Sequence, residues 1–201
     1  MIKTKQELYF YIQEDAKRNG YYNRKIAYWV GLFGGSENAN AFKYLKLLRH
    51  AEYHYNNRSN LFHKLFFYYY EIRRRRLGFK LRISIHLNEC GYGLRILHLS
   101  GGGGVRLGAK SIGNYCGFNA GCLIGTNGPG DTRPVIGDYV AFGPGAKAFG
   151  HITIGNNVFV APNAVVTKDV GENSIVGGVP AKFIKEKRLE DNEVFLMYGK
   201  K

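Results

Sequence analysis

Stepping by six from Ile112, the chain places an apolar residue at Ile112, Phe118, Ile124, Ile136, Phe142, Ala148, Ile154, Val160 and Val166. Four residues after most of these comes a small or β-branched one: Cys116, Cys122, Val140, Ala146, Ile152, Val158, Ala164 and Val170. Small or turn-forming residues such as Gly113, Asn119, Gly125, Gly137, Gly143 and Gly155 follow the apolar positions. A six-residue repeat with two inward positions predicts a parallel β-helix, in which three repeats make one triangular coil and stacked coils bury a continuous interior. Glycine and asparagine relax the corners. The apolar residue is missing at Gly130, so a loop near residues 126–134 is predicted to leave the helix there.

Residues before about Ile83 have a different texture. Thr4 with Glu7 reads as a capping box opening a helix that Gly20 could close. AFKYLKLLRHAEYHY carries Phe42, Leu45 and Leu48 at helical spacing, and SNLFHKLFFYYYEIRRRR runs from a Ser/Asn cap to a basic last turn before Gly78. The expected organisation is a helical part over 1–80, a β-helix over 81–185 and a tail over 186–201, mainly β in class. At 201 residues the chain can bury one sizeable core with a smaller appended unit.

Charge follows the same division. Residues 1–82 carry 17 Lys/Arg against 6 Asp/Glu, whereas residues 83–201 carry 12 against 9. A basic surface can attract nucleic acid, anionic headgroups or a phosphorylated substrate, although a run such as Arg73 to Arg76 is more often a solvated face. The β-helix lacks basic clustering and no nucleic-acid-binding signature is present, so no nucleic-acid partner is expected. The N-terminus has no apolar signal region and no stretch is apolar enough to span a membrane, giving a cytoplasmic expectation. Cys90, Cys116 and Cys122 are an odd count without CxxC spacing, which argues against disulfides and a zinc site. The last two fall on inward positions and read as packing residues.

The stretch RILHLSGGGGV has four consecutive glycines but no following Lys-Ser/Thr and no helical pattern after them, so it is not a phosphate loop. It reads as the entry into the β-helix. His98 stands just before it.

A helical N-terminal part, a histidine before the first full hexads, an IGTN segment with a projecting loop, GPGAKAFGHITIGNNVFVAPNAVV and the ending NSIVGGVPAKFI together resemble the serine acetyltransferase family of hexapeptide-repeat acyltransferases. The similarity is closest to the branch encoded with capsule and exopolysaccharide genes, and covers roughly residues 40–185. The resemblance implies a left-handed β-helix, a homotrimer with active sites in clefts between neighbouring chains, and acetyl-CoA as co-substrate with no metal. Whether trimers pair through the helical part stays open. Carried over position by position, Gly125, Thr126, Gly143, Pro144, Ala161 and Pro162 line the thioester and pantetheine channel, where side chains would obstruct and backbone N–H groups can bind. Lys168 or Lys182 could meet the nucleotide phosphates.

Acetyl transfer to an alcohol needs a base for the hydroxyl proton and donors for the oxyanion, and histidine suits the first role near neutral pH. Of His50, His54, His63, His86, His98 and His151, the resemblance selects His98. The family pairs this histidine with an aspartate on the preceding coil and uses further acidic groups for serine; here Ser84, Leu97 and Arg106 stand in those places, and Thr132-Arg133-Pro134 replaces Arg-His-Pro. Glu89, Ser84 or a backbone carbonyl could orient the ring, with Glu89 ranked first. Ser84, Arg106 and Arg133 are the expected acceptor-side residues. Missing carboxylates weaken the attraction for an ammonium substrate.

The functional expectation is therefore O-acetylation of a sugar hydroxyl in a capsular or surface polysaccharide or its precursor, with a phosphate-bearing or inner-membrane-proximal acceptor suiting the basic helical part. The alternatives are serine O-acetylation for cysteine biosynthesis, lowered by a tail that ends in Lys201, and a non-catalytic β-helix serving in assembly. The glycine-rich turn is about two residues longer than the usual family spacing, which would leave room for a bulky acceptor.

Overall fold

The computed structural model describes residues 1–130 and 132–188. Helices α1 (Lys5–Arg18), α2 (Lys25–Phe33), α3 (Glu37–Asn56) and α4 (Leu61–Leu81) come first. The capping box is present, with Thr4 Oγ1 accepting the Glu7 N–H and the Glu7 carboxylate accepting back from the Thr4 N–H. Helix α2 was not anticipated. It is short, and its apolar residues Ile26, Trp29, Val30 and Phe33 face outward, so it lacks the buried stripe that marks a helix in sequence.

Helix α4 runs past Gly78 to Leu81, where the sequence pattern predicts a stop. A Cβ at Gly78 would lie 2.6 Å from the Ile83 carbonyl oxygen and 2.9 Å from the Tyr44 ring. The glycine there is an opening for close packing, not a terminator. The helix ends at Arg82, which adopts φ 56°.

From β1 (Ile83–Ile85) onward the chain winds as a three-sided parallel β-helix. The first face stacks β1, β3 (Val105–Leu107), β6 (Leu123–Gly125), β9 (Lys147–Phe149) and β12 (Val165–Val166). The second stacks β4 (Ser111–Ile112), β7 (Val135–Ile136) and β10 (Thr153–Ile154). The third stacks β2 (Arg95–Leu97), β5 (Gly117–Asn119), β8 (Ala141–Phe142), β11 (Phe159–Val160) and β13 (Ser174–Gly177), and β14 (Lys182–Glu186) closes it as an antiparallel edge on β13.

Register follows the six-residue repeat. Ile96, Phe118, Phe142, Val160 and Val176 align on the third face, and Ile112, Ile136 and Ile154 on the second. All are buried, as are Ile124, Ala148 and Val166 on the first. Cys116 and Cys122 are buried too, and burial pushes their thiols up to about 12 and about 11, so they act as small apolar residues.

The open end of such a coil needs a cap. Tyr44, Leu45 and Leu48 of α3 pack into the same core as Ile83, Ile85, Leu94 and Ile96. Arg74 of α4 adds hydrogen bonds from Nη1 to the Ile85 carbonyl and the Tyr44 hydroxyl, both 2.8 Å.

Candidate active site

The corner between the third and first faces is where the repeat is broken. Three residues, 120–122, join Asn119 to Leu123, whereas seven, 98–104, join Leu97 to Val105. The extra length folds as a short 3₁₀ turn, Leu99–Gly101, with His98 as its N-terminal residue at φ 58°. Histidine is among the residues that tolerate this left-handed conformation. Its side chain is exposed, and no hydrogen bond to its ring is formed among the described residues. The chain closes this turn beneath α4: a Cβ on Gly104 would stand 2.1 Å from the Arg82 carbonyl oxygen. That contact explains a glycine there without invoking a ligand.

Below His98 the same corner continues as small residues. The Ala120 N–H donates to the Leu97 carbonyl, Gly121 to Gly104, Gly145 to Ala120 and Asn163 to Pro144. Gly143, Pro144, Ala161 and Pro162 lie on this edge, one coil apart in pairs. A Cβ at Gly143 would come within 2.7 Å of the Pro162 nitrogen. His98 and four of the expected channel residues thus share one edge, with a low profile that a long, thin ligand could follow.

The other expected residues fall elsewhere. Gly125 ends β6 and Thr126 follows it, at the corner between the first and second faces. Lys168 is exposed just after β12 at that same corner, while Lys182 is exposed on β14 at the far end of the third face. Asp131 and residues 189–201, including most of the expected tail, lie outside the described residues.

Glu89 does not orient His98. Its Oε2 accepts the His86 N–H at 3.1 Å and its Oε1 accepts the Ala109 N–H at 2.5 Å, so both oxygens hold the corner between the first and second faces. The residue is buried, and burial pushes its carboxyl up to about 7 against the opposing pull of those two donors. The sequence expectation fails because nearness along the chain was used where the coil puts residues 89 and 98 on different corners. His86 keeps much of its surface exposed, and the partial burial of its ring, followed by the charges of Arg133 and Arg106, lowers its pKa.

Ser84 and Arg106 are adjacent register partners, both exposed on the first face. They border a groove of about 1210 Å³ between this face and α4, also lined by Arg75, Lys80, Arg82 and His86. Its charge is predominantly positive. A second cavity of about 480 Å³ borders the His98 turn and is lined by Glu37, Asn40, Lys80, Arg82 and Ser100.

Sequence reasoning missed Glu37. Its Oε2 accepts the Ser100 N–H at 2.7 Å, tying the first turn of α3 to the turn that carries His98. The two residues are 63 apart in the chain, and no local pattern marks the pair. Among the described residues no three metal-ligating side chains converge.

No protein-family model matches the chain. The serine acetyltransferase of Synechococcus elongatus is 36% identical over 106 residues, 51% of this chain and 42% of that protein. The chain thus spans about two fifths of the length of that curated relative. Among solved structures, serine acetyltransferase from Brucella abortus superposes with a TM-score of 0.65 at 25% identity, covering 92% of this chain and 71% of the other. Serine acetyltransferase from Neisseria gonorrhoeae in complex with serine gives 0.64 at 26% identity, covering 90% and 70%. The Brucella enzyme in complex with coenzyme A shares the fold at a TM-score of 0.62 and 24% identity, covering 92% and 70%. The architecture is that of a left-handed parallel β-helix behind a helical N-terminal part, as in these serine acetyltransferases.

Proposed function

We propose that this serine acetyltransferase-like chain is an acetyl-CoA-dependent O-acetyltransferase in which His98 is the general base. The observation that carries the reading is the shared edge: the enlarged corner that holds His98 stacks on the Ala120–Gly121 corner, which stacks in turn on those of Gly143 and Pro144 and of Ala161 and Pro162. A wall without bulky side chains suits a pantetheine arm, and the thioester at its end supplies an activated acetyl carbon. His98 removes the acceptor's hydroxyl proton as that oxygen attacks the carbonyl carbon. The same imidazolium returns the proton to the departing sulfur, so the products are the acetyl ester and the free thiol.

Gly125, Thr126 and Lys168 sit across the first face from this edge, so one copy cannot bring both sets to one ligand. A cleft between neighbouring copies, as in a trimer, would place one chain's first corner against another's second. This is part of the proposal.

For the acceptor, the named relatives favour free serine over the glycan hydroxyl expected from the sequence. The glycan reading stays second on one observation: Ser84 and Arg106 stand in a groove with Arg75, Lys80 and Arg82, a field that repels an ammonium group and attracts a phosphate-bearing sugar. Steady-state assays with serine and with sugar phosphates as acceptors decide between them. Saturable turnover of serine with a kcat/KM about 10²-fold above that of any sugar supports the serine reading, and the reverse ratio supports the glycan.

A further inference from the structure

His98 has no acidic partner on its own coil, because Leu97 precedes it, Ser84 stands on the neighbouring strand and Glu89 is engaged at another corner. A base that becomes an imidazolium in mid-reaction benefits from a fixed negative charge nearby. The helical part supplies one. Glu37 lies in the first turn of α3, whose cap, Ser36, accepts the Ala39 N–H at 3.4 Å. The helix N-terminus favours an ionised carboxylate there. From that fixed base the carboxylate reaches across to the Ser100 N–H, two residues beyond His98. The hydrogen bonding to Ser100 holds the carboxyl below the usual range, and the charge of His98 acts in the same direction.

Resting on the reading of His98 as base, we propose that Glu37 is its positioning residue, clamping the 98–101 turn through the Ser100 N–H and providing the negative charge that favours the protonated imidazole. The clamp runs from the helical part to the β-helix, which gives the helical part a role in the chemistry beyond capping the coil. Lys80 and Arg82 at the end of α4 line the cavity that borders this turn, and Glu37 is the acidic side chain among its lining residues.

Two substitutions separate the two effects. Glu37→Gln keeps an oxygen acceptor for Ser100 and removes the charge, whereas Glu37→Ala removes both. The direct readout is the pKa of His98 by side-chain NMR titration of the full chain, its signal assigned by its loss in His98→Ala. Both Glu37 variants are expected to lower it. Glu37→Ala is further expected to lower kcat about tenfold at neutral pH with the KM for acetyl-CoA unchanged, and Glu37→Gln to lower kcat less. A His98 pKa in Glu37→Gln equal to that of the wild type overturns the proposal while leaving His98 as base intact. Full turnover by His98→Ala overturns the base reading, and the pKa shift then reports only a structural coupling, so the two failures are told apart.

Discussion

Arg49 Nε donates to Asp15 Oδ2 at 2.9 Å, with both side chains sealed from solvent. The pair is a junction between α1, α3 and the first coil: Arg49 also donates to the Cys90 and Gly91 carbonyls and to Glu52, and Asp15 accepts the Leu94 N–H at 2.9 Å. Removing the cation strands two buried carboxylates and two carbonyls. Arg49→Met is expected to cost about 3–5 kcal/mol in chemical denaturation. A loss under about 1 kcal/mol would mean the helical part is held to the β-helix by apolar packing alone.

The interior of the coil gives a second prediction. Phe118 and Phe142 are fully buried and stack at a centroid distance of 5.2 Å with an interplanar angle of 22°. Because successive coils lie directly over one another, the hole left by Phe118→Ala cannot be filled from the side. The expected cost is about 3–5 kcal/mol by the same measurement, and a cost near zero would show that the stack collapses.

Those two predictions mark where the sequence was legible and where it was not. A two-position inward code repeats along the β-helix, so Phe118, Ile136 and Val160 could be assigned to the interior from spacing alone. The enlarged His98 corner was visible as surplus glycine. Glu37 was invisible, as was the Arg49–Asp15 junction, because each joins an irregularly spaced helical residue to a distant partner. Glu89 was misplaced for the converse reason, since neighbours in sequence point to different corners of a coil.

Glu89 carries the pH prediction. Its folded-state pKa of about 7 lies above that of an exposed carboxyl, so the folded chain binds a proton that the unfolded chain releases. The sign makes this group's contribution most favourable below about pH 4.5, and it is lost as pH rises toward 7, by about 3 kcal/mol in total. Carboxyl NMR titration checks it: a Glu89 midpoint near 7 is expected, and a midpoint near 4 would mean the two backbone donors outweigh burial.

The small-residue edge is testable without touching His98. Gly143→Ala drives a methyl group to within 2.7 Å of the Pro162 nitrogen, so neighbouring coils must separate there. A stability loss of about 1–3 kcal/mol with a several-fold weaker binding of acetyl-CoA by calorimetry is expected. Unchanged affinity would place the pantetheine path on another edge.

Removal of the acceptor proton by His98 is tested by thiol release from acetyl-CoA in the presence of serine, compared between the wild type and His98→Ala. A rate loss of about 10²–10⁴-fold is expected in the variant, with acetyl-CoA affinity and thermal stability retained. A variant that releases thiol at the wild-type rate would contradict it.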